Sequence, residues 1–486
     1  MLTKNQPQWN SSVAFLLAMI GSAIGLGNIW RFPYVLYSNG GGSFIIPYVV
    51  ALTVVGLSFL LLEYSIGYTF RESLYDIYKK IKPKFEIIAW FVLVLVFLVS
   101  TYYVCIVGWD LIYFILSFTK GWGQNPSNFF SNNLLHSTNS LNGMFNVVPL
   151  ILLSSFIVWF FIWFISHKEL NKGIGKFSKI ALPILFILIF IIVFFSLTLP
   201  GAIIGIRTMF TPDWTQLTNY NIWIAAFGQI IFSLSLGMGI TIAYTSYLPK
   251  GSNLTKNSLI VLLSNSGFEV FNAIGVFSIL GFMTFSSGIP IDKLIVDGTG
   301  LAFIAFPQVF NVMGSYAYIL GPIFFLCIFI AGITSAISLL EPLSSSISSK
   351  FGFSRKKSTT LICILGFSVT ILFTTNSGSF ILAIFDKFLN NFGLLFEIIL
   401  ESIIFTWIFS VDKLIKSLNE NYLFKVGNWW KYIIKYLLPF ILICVWITSM
   451  FDSITTGNSS EVAIDLILVL VLIVVPVLFY KLPSKS

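Results

Sequence analysis

Gly21-Ser22-Ala23-Ile24-Gly25-Leu26-Gly27-Asn28 lies in the middle of an apolar stretch covering 11–37. A glycine in a helix interior costs up to ~1 kcal/mol, so three within seven residues need a reason. One reason is close helix–helix packing through small residues, which suits the four-residue spacing of Gly21 and Gly25. The other is that the helix unwinds here and frees carbonyls and amides to bind an ion or solute. Irregular backbone at membrane depth is tolerated only where it lines a protected or watery cavity. A second such stretch, Ser233-Leu234-Ser235-Leu236-Gly237-Met238-Gly239, interrupts the apolar run 222–247.

The rest of the chain is as apolar as these two runs. Of its 486 residues 57% are hydrophobic and 10% charged, and its mean hydropathy is +0.92. Soluble domains carry about 25% charged residues, so a soluble fold is excluded. The apolar blocks do not alternate as barrel strands do, and each is long enough for a ~20-residue helical span. Twelve spans are expected, at 11–37, 41–70, 87–118, 147–166, 175–199, 222–247, 255–285, 316–349, 358–375, 380–409, 431–451 and 463–481. The two interruptions fall in spans one and six, five helices apart. An odd offset places two equivalent five-helix units in opposite orientations, and matched broken helices point to a transporter's central site. The expected organisation is an N-tail at 1–10, a first repeat at 11–200, a second at 201–410, and two further spans with a C-tail at 411–486.

Lys and Arg crowd the stretches 71–86, 167–179, 248–256, 350–357 and 411–435, whereas the alternate loops hold only Lys120, Arg207, Lys293 and Lys387. By the positive-inside rule both termini are cytoplasmic, in a cell (inner) membrane. The net charge of +9 is thus a topology signal, and no basic soluble surface exists to bind nucleic acid. The polar N-terminus and long first span are not those of a cleavable signal peptide. Of the loops, 119–146 reads as a flexible, Asn/Ser-rich cover and 286–315 as short helices folded over an opening. Cys105, Cys327, Cys363 and Cys444 read as small buried hydrophobes. His136 and His167 stand apart in loops, so no Cys/His metal centre is expected. Hydrolase motifs and a nucleotide loop are absent from the sequence, so an enzyme is not expected and uphill transport must draw on an ion gradient.

Isolated charges at membrane depth are expensive and mark function or pairing. They are Arg31, Glu63, Glu269, Glu341 and Glu401, with Asp386 at the start of the tenth span. Ala331, Thr334 and Ser335 share one helical face. Their oxygens suit a hard cation, or the hydroxyls bond back to their own helix. Asn28, Ser233 and Asn265 offer a second oxygen set.

Gly25-Leu26-Gly27-Asn28-Ile29-Trp30-Arg31-Phe32-Pro33-Tyr34, Asn39-Gly40-Gly41-Gly42-Ser43-Phe44 and Pro47-Tyr48 resemble the neurotransmitter:sodium symporters. So do Tyr102-Tyr103, Gly228-Gln229-Ile230 and Ala331-Gly332-Ile333-Thr334-Ser335. The resemblance implies an all-α fold of twelve membrane helices, with two inverted five-helix repeats of the leucine-transporter type. It implies sodium-driven, alternating-access uptake of an amino acid, with two sodium ions, no organic cofactor, a lipid bilayer as solvent, and a homodimer as one open assembly. The first sodium would meet Ala23, Asn28, Ser233, Asn265 and the substrate carboxylate. The second would meet Gly21, Ile24, Ala331, Thr334 and Ser335. Substrate would touch Ser22, Ala23, Leu26, Gly27, Val99, Tyr103, Phe232, Ser233, Ser235, Met238, Ser335 and Leu339. Arg31 and Asp386 would gate the outside.

Three features refine that expectation. Monoamine carriers place an Asp where this chain has Gly25, so the ligand is expected to bring its own carboxylate and, in an apolar pocket, a hydrophobic or aromatic side chain. Chloride-dependent relatives place a Ser where this chain has Glu269, so transport is expected to be chloride-independent. The usual inner Arg–Asp gate falls at Gln6 and Ser349, and Lys350 has no evident acidic partner in the sequence.

Overall fold

The computed structural model describes residues 7–294, 298–456 and 459–485. Among these the chain is helical, with no strand. Its principal helices are α1 (Ser12–Ala23), α2 (Gly27–Ser38), α3 (Gly42–Phe70), α4 (Leu74–Ile81), α5 (Pro83–Ser117), α6 (Pro149–Ser166), α7 (Asn171–Leu197) and α8 (Ala202–Phe210). They continue with α9 (Tyr220–Ser233), α10 (Ile240–Ser246), α11 (Leu254–Ser287), α12 (Leu301–Val312), α13 (Gly314–Phe351), α14 (Arg355–Thr374), α15 (Gly378–Leu418), α16 (Asn428–Phe451) and α17 (Ser459–Lys481). Among the described residues ten are long and apolar enough to cross a bilayer, and α1 with α2 forms a further pair bent by 57°. The chain is a multi-pass membrane protein.

Both glycine-rich stretches break their helices. Ser11 caps α1 by accepting from the Ala14 amide, and the helix ends where Ile24 turns extended, with ψ of 99°. The stretch 222–247 becomes two short helices, α9 and α10. Between them Ser235, Gly237 and Gly239 take φ of 52°, 73° and 67°. Such left-handed residues cannot continue a right-handed helix. Unwinding is therefore what these residues do.

In lipid, apolar helix faces gain little from mutual contact, and packing depends on shape and on interhelical polar bonds. The most enclosed helices are α5 and α13, which pack along one another, while α16 and α17 lie at the periphery. Between α7 and α9, residues 202–210 form a helix rather than loop, and α8 docks on α11 where Gly205 and Gly281 bring the two backbones together. The segment 119–146 is a packed plug more than a flexible cover. Its Asn and Ser suggest solvent, but Trp122 stacks on Tyr113 at 6.0 Å and Phe130 stacks on Phe303 at 5.4 Å. The expected short helices over the opening are present as α12. Cys105, Cys327 and Cys363 are buried, whereas Cys444 is exposed on peripheral α16.

Candidate functional site

A cavity of about 540 Å³ runs from the loop residues Gly298 and Thr299 down to the two breaks. Of the expected substrate contacts, Ser22, Ala23, Leu26, Gly27, Val99, Tyr103, Phe232, Ser235, Met238, Ser335 and Leu339 all line it. Ser233 does not; its hydroxyl turns away into a polar cluster behind the wall. The breaks supply polar backbone to a chamber that is apolar at Val99, Phe232, Met238 and Leu339 and also bears Arg31, Asp386 and Lys387. The Leu26 amide donates to the Tyr103 hydroxyl at 3.4 Å, and the Ser235 hydroxyl donates to the Ser22 carbonyl at 3.2 Å. Sequence reading missed Ile106, Leu382 and Asn390 on the walls. A Cβ on Gly25 would stand 2.8 Å from Ser335 Oγ and 3.2 Å from the Tyr103 hydroxyl. This glycine keeps a tight corner open.

The oxygen set behind the wall centres on Asn28. Its Oδ1 accepts from the Gly25 amide at 2.8 Å, and its Nδ2 faces Asn265 Oδ1 at 2.9 Å, Ser233 Oγ at 3.3 Å and Glu269 at 3.3 Å. Asn265 also donates to Ser233 Oγ at 2.5 Å. Glu269, fully buried, takes further bonds from the Tyr48 hydroxyl and from Gln229 Nε2 at 2.8 Å. Side chains from four helices, α2, α3, α9 and α11, thus meet at one buried point, rich in neutral oxygens and adjoined by a carboxylate.

The second expected set divides. Ser335 Oγ reaches across to three carbonyls of the first break, Gly21 at 3.5 Å, Ser22 at 3.2 Å and Ile24 at 3.4 Å. One hydroxyl proton cannot satisfy three carbonyls, so surplus acceptors remain, as a hard cation prefers. Thr334 instead donates back to the Ile330 and Ala331 carbonyls of its own helix, each at 3.0 Å. It shows the local bonding that membrane-helix hydroxyls commonly adopt.

The two ends of the bundle differ. At the α12 end Arg31 lies 4.6 Å from the Phe232 ring, and Asp386 accepts from the Tyr102 hydroxyl and from Asn390, both at 2.8 Å. Arg31 and Asp386 both line the cavity. At the other end the Trp9 indole donates to the Tyr244 carbonyl at 2.8 Å. Arg355 clasps Glu341 through two bonds of 2.8 and 2.6 Å, and Tyr247 donates to the same carboxylate at 2.9 Å. Gln6 lies outside the described residues, and Ser349 donates to Asp76 at 2.5 Å. The expectation for Lys350 is overturned. It is buried, paired with Glu86, and donates to the Phe479 carbonyl at 2.6 Å. The partner is 264 residues away in sequence, so local charge counting could not find it.

The sequence pattern of the sodium:neurotransmitter symporter family matches residues 6–143 and 123–482. The chain belongs to this family. An uncharacterized sodium-dependent transporter of Methanocaldococcus jannaschii is 41% identical over 92% of this chain and 91% of its own. The sodium- and chloride-dependent creatine transporter 1 of Homo sapiens is 29% identical over 90% of this chain and 76% of its own. The sodium-dependent serotonin transporter of Drosophila melanogaster is 29% identical over 92% and 77%. This family member is accordingly a sodium-dependent transporter.

Proposed function

We propose that the protein carries an amino acid into the cell together with sodium, by alternating access, and without chloride. The observation that carries this reading is the cavity floor. There the Leu26 amide and Tyr103 hydroxyl stand beside the Asn28 cluster, an arrangement suited to a carboxylate that shares a sodium ion. The apolar walls and adaptable Met238 favour a hydrophobic or aromatic side chain. In this reading two sodium ions bind, one at Ala23, Asn28, Ser233 and Asn265 and the other at Gly21, Ile24, Ala331, Thr334 and Ser335. Glu269 supplies the negative charge that chloride brings elsewhere.

The same proposal counts α9 with α10 as a membrane span, making twelve, with residues 11–200 and 201–410 as inverted repeats and both termini in the cytoplasm of an inner membrane. The chamber then faces outward, gated by Arg31 and Asp386, and the Trp9 end is shut. Ligands shift such an equilibrium only through differential affinity for the two states, so coupling requires that loaded and empty sites favour different ends. A screen of the standard amino acids for sodium-dependent binding, followed by counterflow of the labelled hit in proteoliposomes, tests the reading. Trans-stimulated exchange supports a carrier. Binding of a decarboxylated amine with the parent amino acid inert defeats the substrate assignment.

A further inference from the structure

Behind the second break, outside the cavity, three carboxyl groups converge in the membrane interior. Glu63 on α3 and Glu397 and Glu401 on α15 are all buried. Glu63 accepts the Gly237 amide at 3.1 Å. A Cβ on Gly237 would land on the Glu397 carboxylate, so two of the three press on the same backbone atom group. Glu397 and Glu401 stand one helical turn apart, and Glu397 Oε2 and both Glu401 oxygens are buried without a hydrogen-bond partner. An ionised carboxylate buried without a donor is prohibitively costly, which favours a proton on each of these two carboxyls. Among the described residues no basic side chain pairs with the three.

An independent observation points to what binds. The hydroxyl of Tyr78, on α4, is fully buried without a hydrogen-bond partner, and all three carboxyls bear on it electrostatically. Tyr64 of α3 adds a second unpartnered hydroxyl beside Glu63. From α10 Thr241 faces Glu63, and from the break itself the Gly237 N–H does. An inward-pointing N–H disfavours a metal cation, and three uncompensated charges in a dry interior are prohibitive. A proton satisfies both conditions.

We propose that Glu63, Glu397 and Glu401 form a proton site that controls the α9–α10 break. Glu63, the member that accepts a backbone amide, is ionised and clamps Gly237, while Glu397 and Glu401, left without donors, are each protonated. Hydrogen bonds to a charged acceptor are about twice as strong as neutral ones. Protonation of Glu63 therefore loosens residues 234–239 with no covalent change. Tyr78, on the short helix at the Trp9 end, relays that proton.

The test uses the full chain in liposomes with sodium present, and needs no substrate. Infrared spectroscopy at neutral pH should show a protonated-carboxyl band that loses a component in Glu397→Gln/Glu401→Gln and keeps it in Glu269→Gln. Amide exchange of residues 232–241, corrected for intrinsic rate, should rise about tenfold on acidification, as loss of one charge-assisted bond implies. Glu63→Gln should show the raised exchange already at neutral pH and no further response. Tyr78→Phe should slow the response and keep its end points. An infrared band indifferent to the double variant overturns the proposal. So does native exchange at the break that ignores pH, a measurement independent of whether any variant folds.

Discussion

Glu269→Gln is the sharpest test of the chloride assignment. The carboxylate accepts three donors: the Tyr48 hydroxyl, Gln229 Nε2 at 2.8 Å and Asn28 Nδ2 at 3.3 Å. The isosteric amide can turn its nitrogen to the Tyr48 hydroxyl, which accepts, and keep its oxygen toward Gln229 and Asn28, but those two bonds lose their charged acceptor and about half their strength each. A hydrogen bond to a charged group is worth about 1.5–3 kcal/mol. Asn28 is the residue shared with the proposed first sodium, so that loss falls on ion affinity, and at about 1.4 kcal/mol per decade it amounts to roughly 10- to 100-fold. Sodium that binds the folded state raises stability by about 2.7 kcal/mol at a hundred times its Kd, so the thermal midpoint, titrated with sodium, reads the affinity without a known substrate. The native protein should be stabilised equally in chloride and gluconate. The variant should need 10- to 100-fold more sodium in gluconate and recover in chloride. Native stabilisation that collapses in gluconate, or a variant indistinguishable from native in both salts, refutes the reasoning.

Other outcomes follow from the same geometry. Ser335→Ala, which strips the hydroxyl facing the Gly21, Ser22 and Ile24 carbonyls, should weaken the sodium-dependent shift by about tenfold, one hydrogen bond's worth. Thr334→Ala should also weaken it, but less. Unchanged sodium response in both, at normal folded yield, means the second ion site is elsewhere. Gly25→Ala puts a methyl 2.8 Å from Ser335 Oγ and should raise KM of the identified substrate about tenfold with folding intact, in line with overpacking costs of 1–3 kcal/mol. A native KM would show that the cavity floor is not the binding surface. Lys350→Met leaves Glu86 buried with only Lys79, 3.7 Å away, as an ion partner, and should cost about 3 kcal/mol, the low end for a broken buried pair. Adding Glu86→Gln should recover much of that in a denaturation assay; a double variant no more stable than the single one argues against the pair.

Hydropathy alone located eleven candidate spans within a few residues, because lipid leaves an uncharged helix few alternatives. The glycine-rich stretches also declared the breaks, since no packing argument explains Gly237 and Gly239 so close to Ser235. What escaped was whatever depends on distant partners. Lys350 counts as a loop charge until α5 brings Glu86 to it. Asp110 and Glu397 are buried carboxyls that sequence reading passed over, although Glu397 stands four residues before Glu401 and therefore on the same helical face. The adjacent hydroxyls of Thr334 and Ser335 were indistinguishable in sequence. Only the approach of the first break separates the one that bonds at home from the one that reaches across.

The 57° bend between α1 and α2 carries a mechanical consequence. With no continuous hydrogen-bond ladder through Ile24–Leu26, the two segments are separate levers on a common pivot, and the pivot is the floor of the cavity. Helix α1 has 12 residues, hence an arm of about 18 Å at 1.5 Å per residue. A swing of about 10° displaces its far tip by about 3 Å, the width of a water molecule. That tip adjoins Trp9, whose indole and amide are both tied to α10 and its C-terminal turn, at Tyr244 and Tyr247. In the proposed cycle, opening the Trp9 end therefore requires only a small angular motion at the floor, resisted by the Trp9 anchorage together with the Arg355–Glu341–Tyr247 clasp.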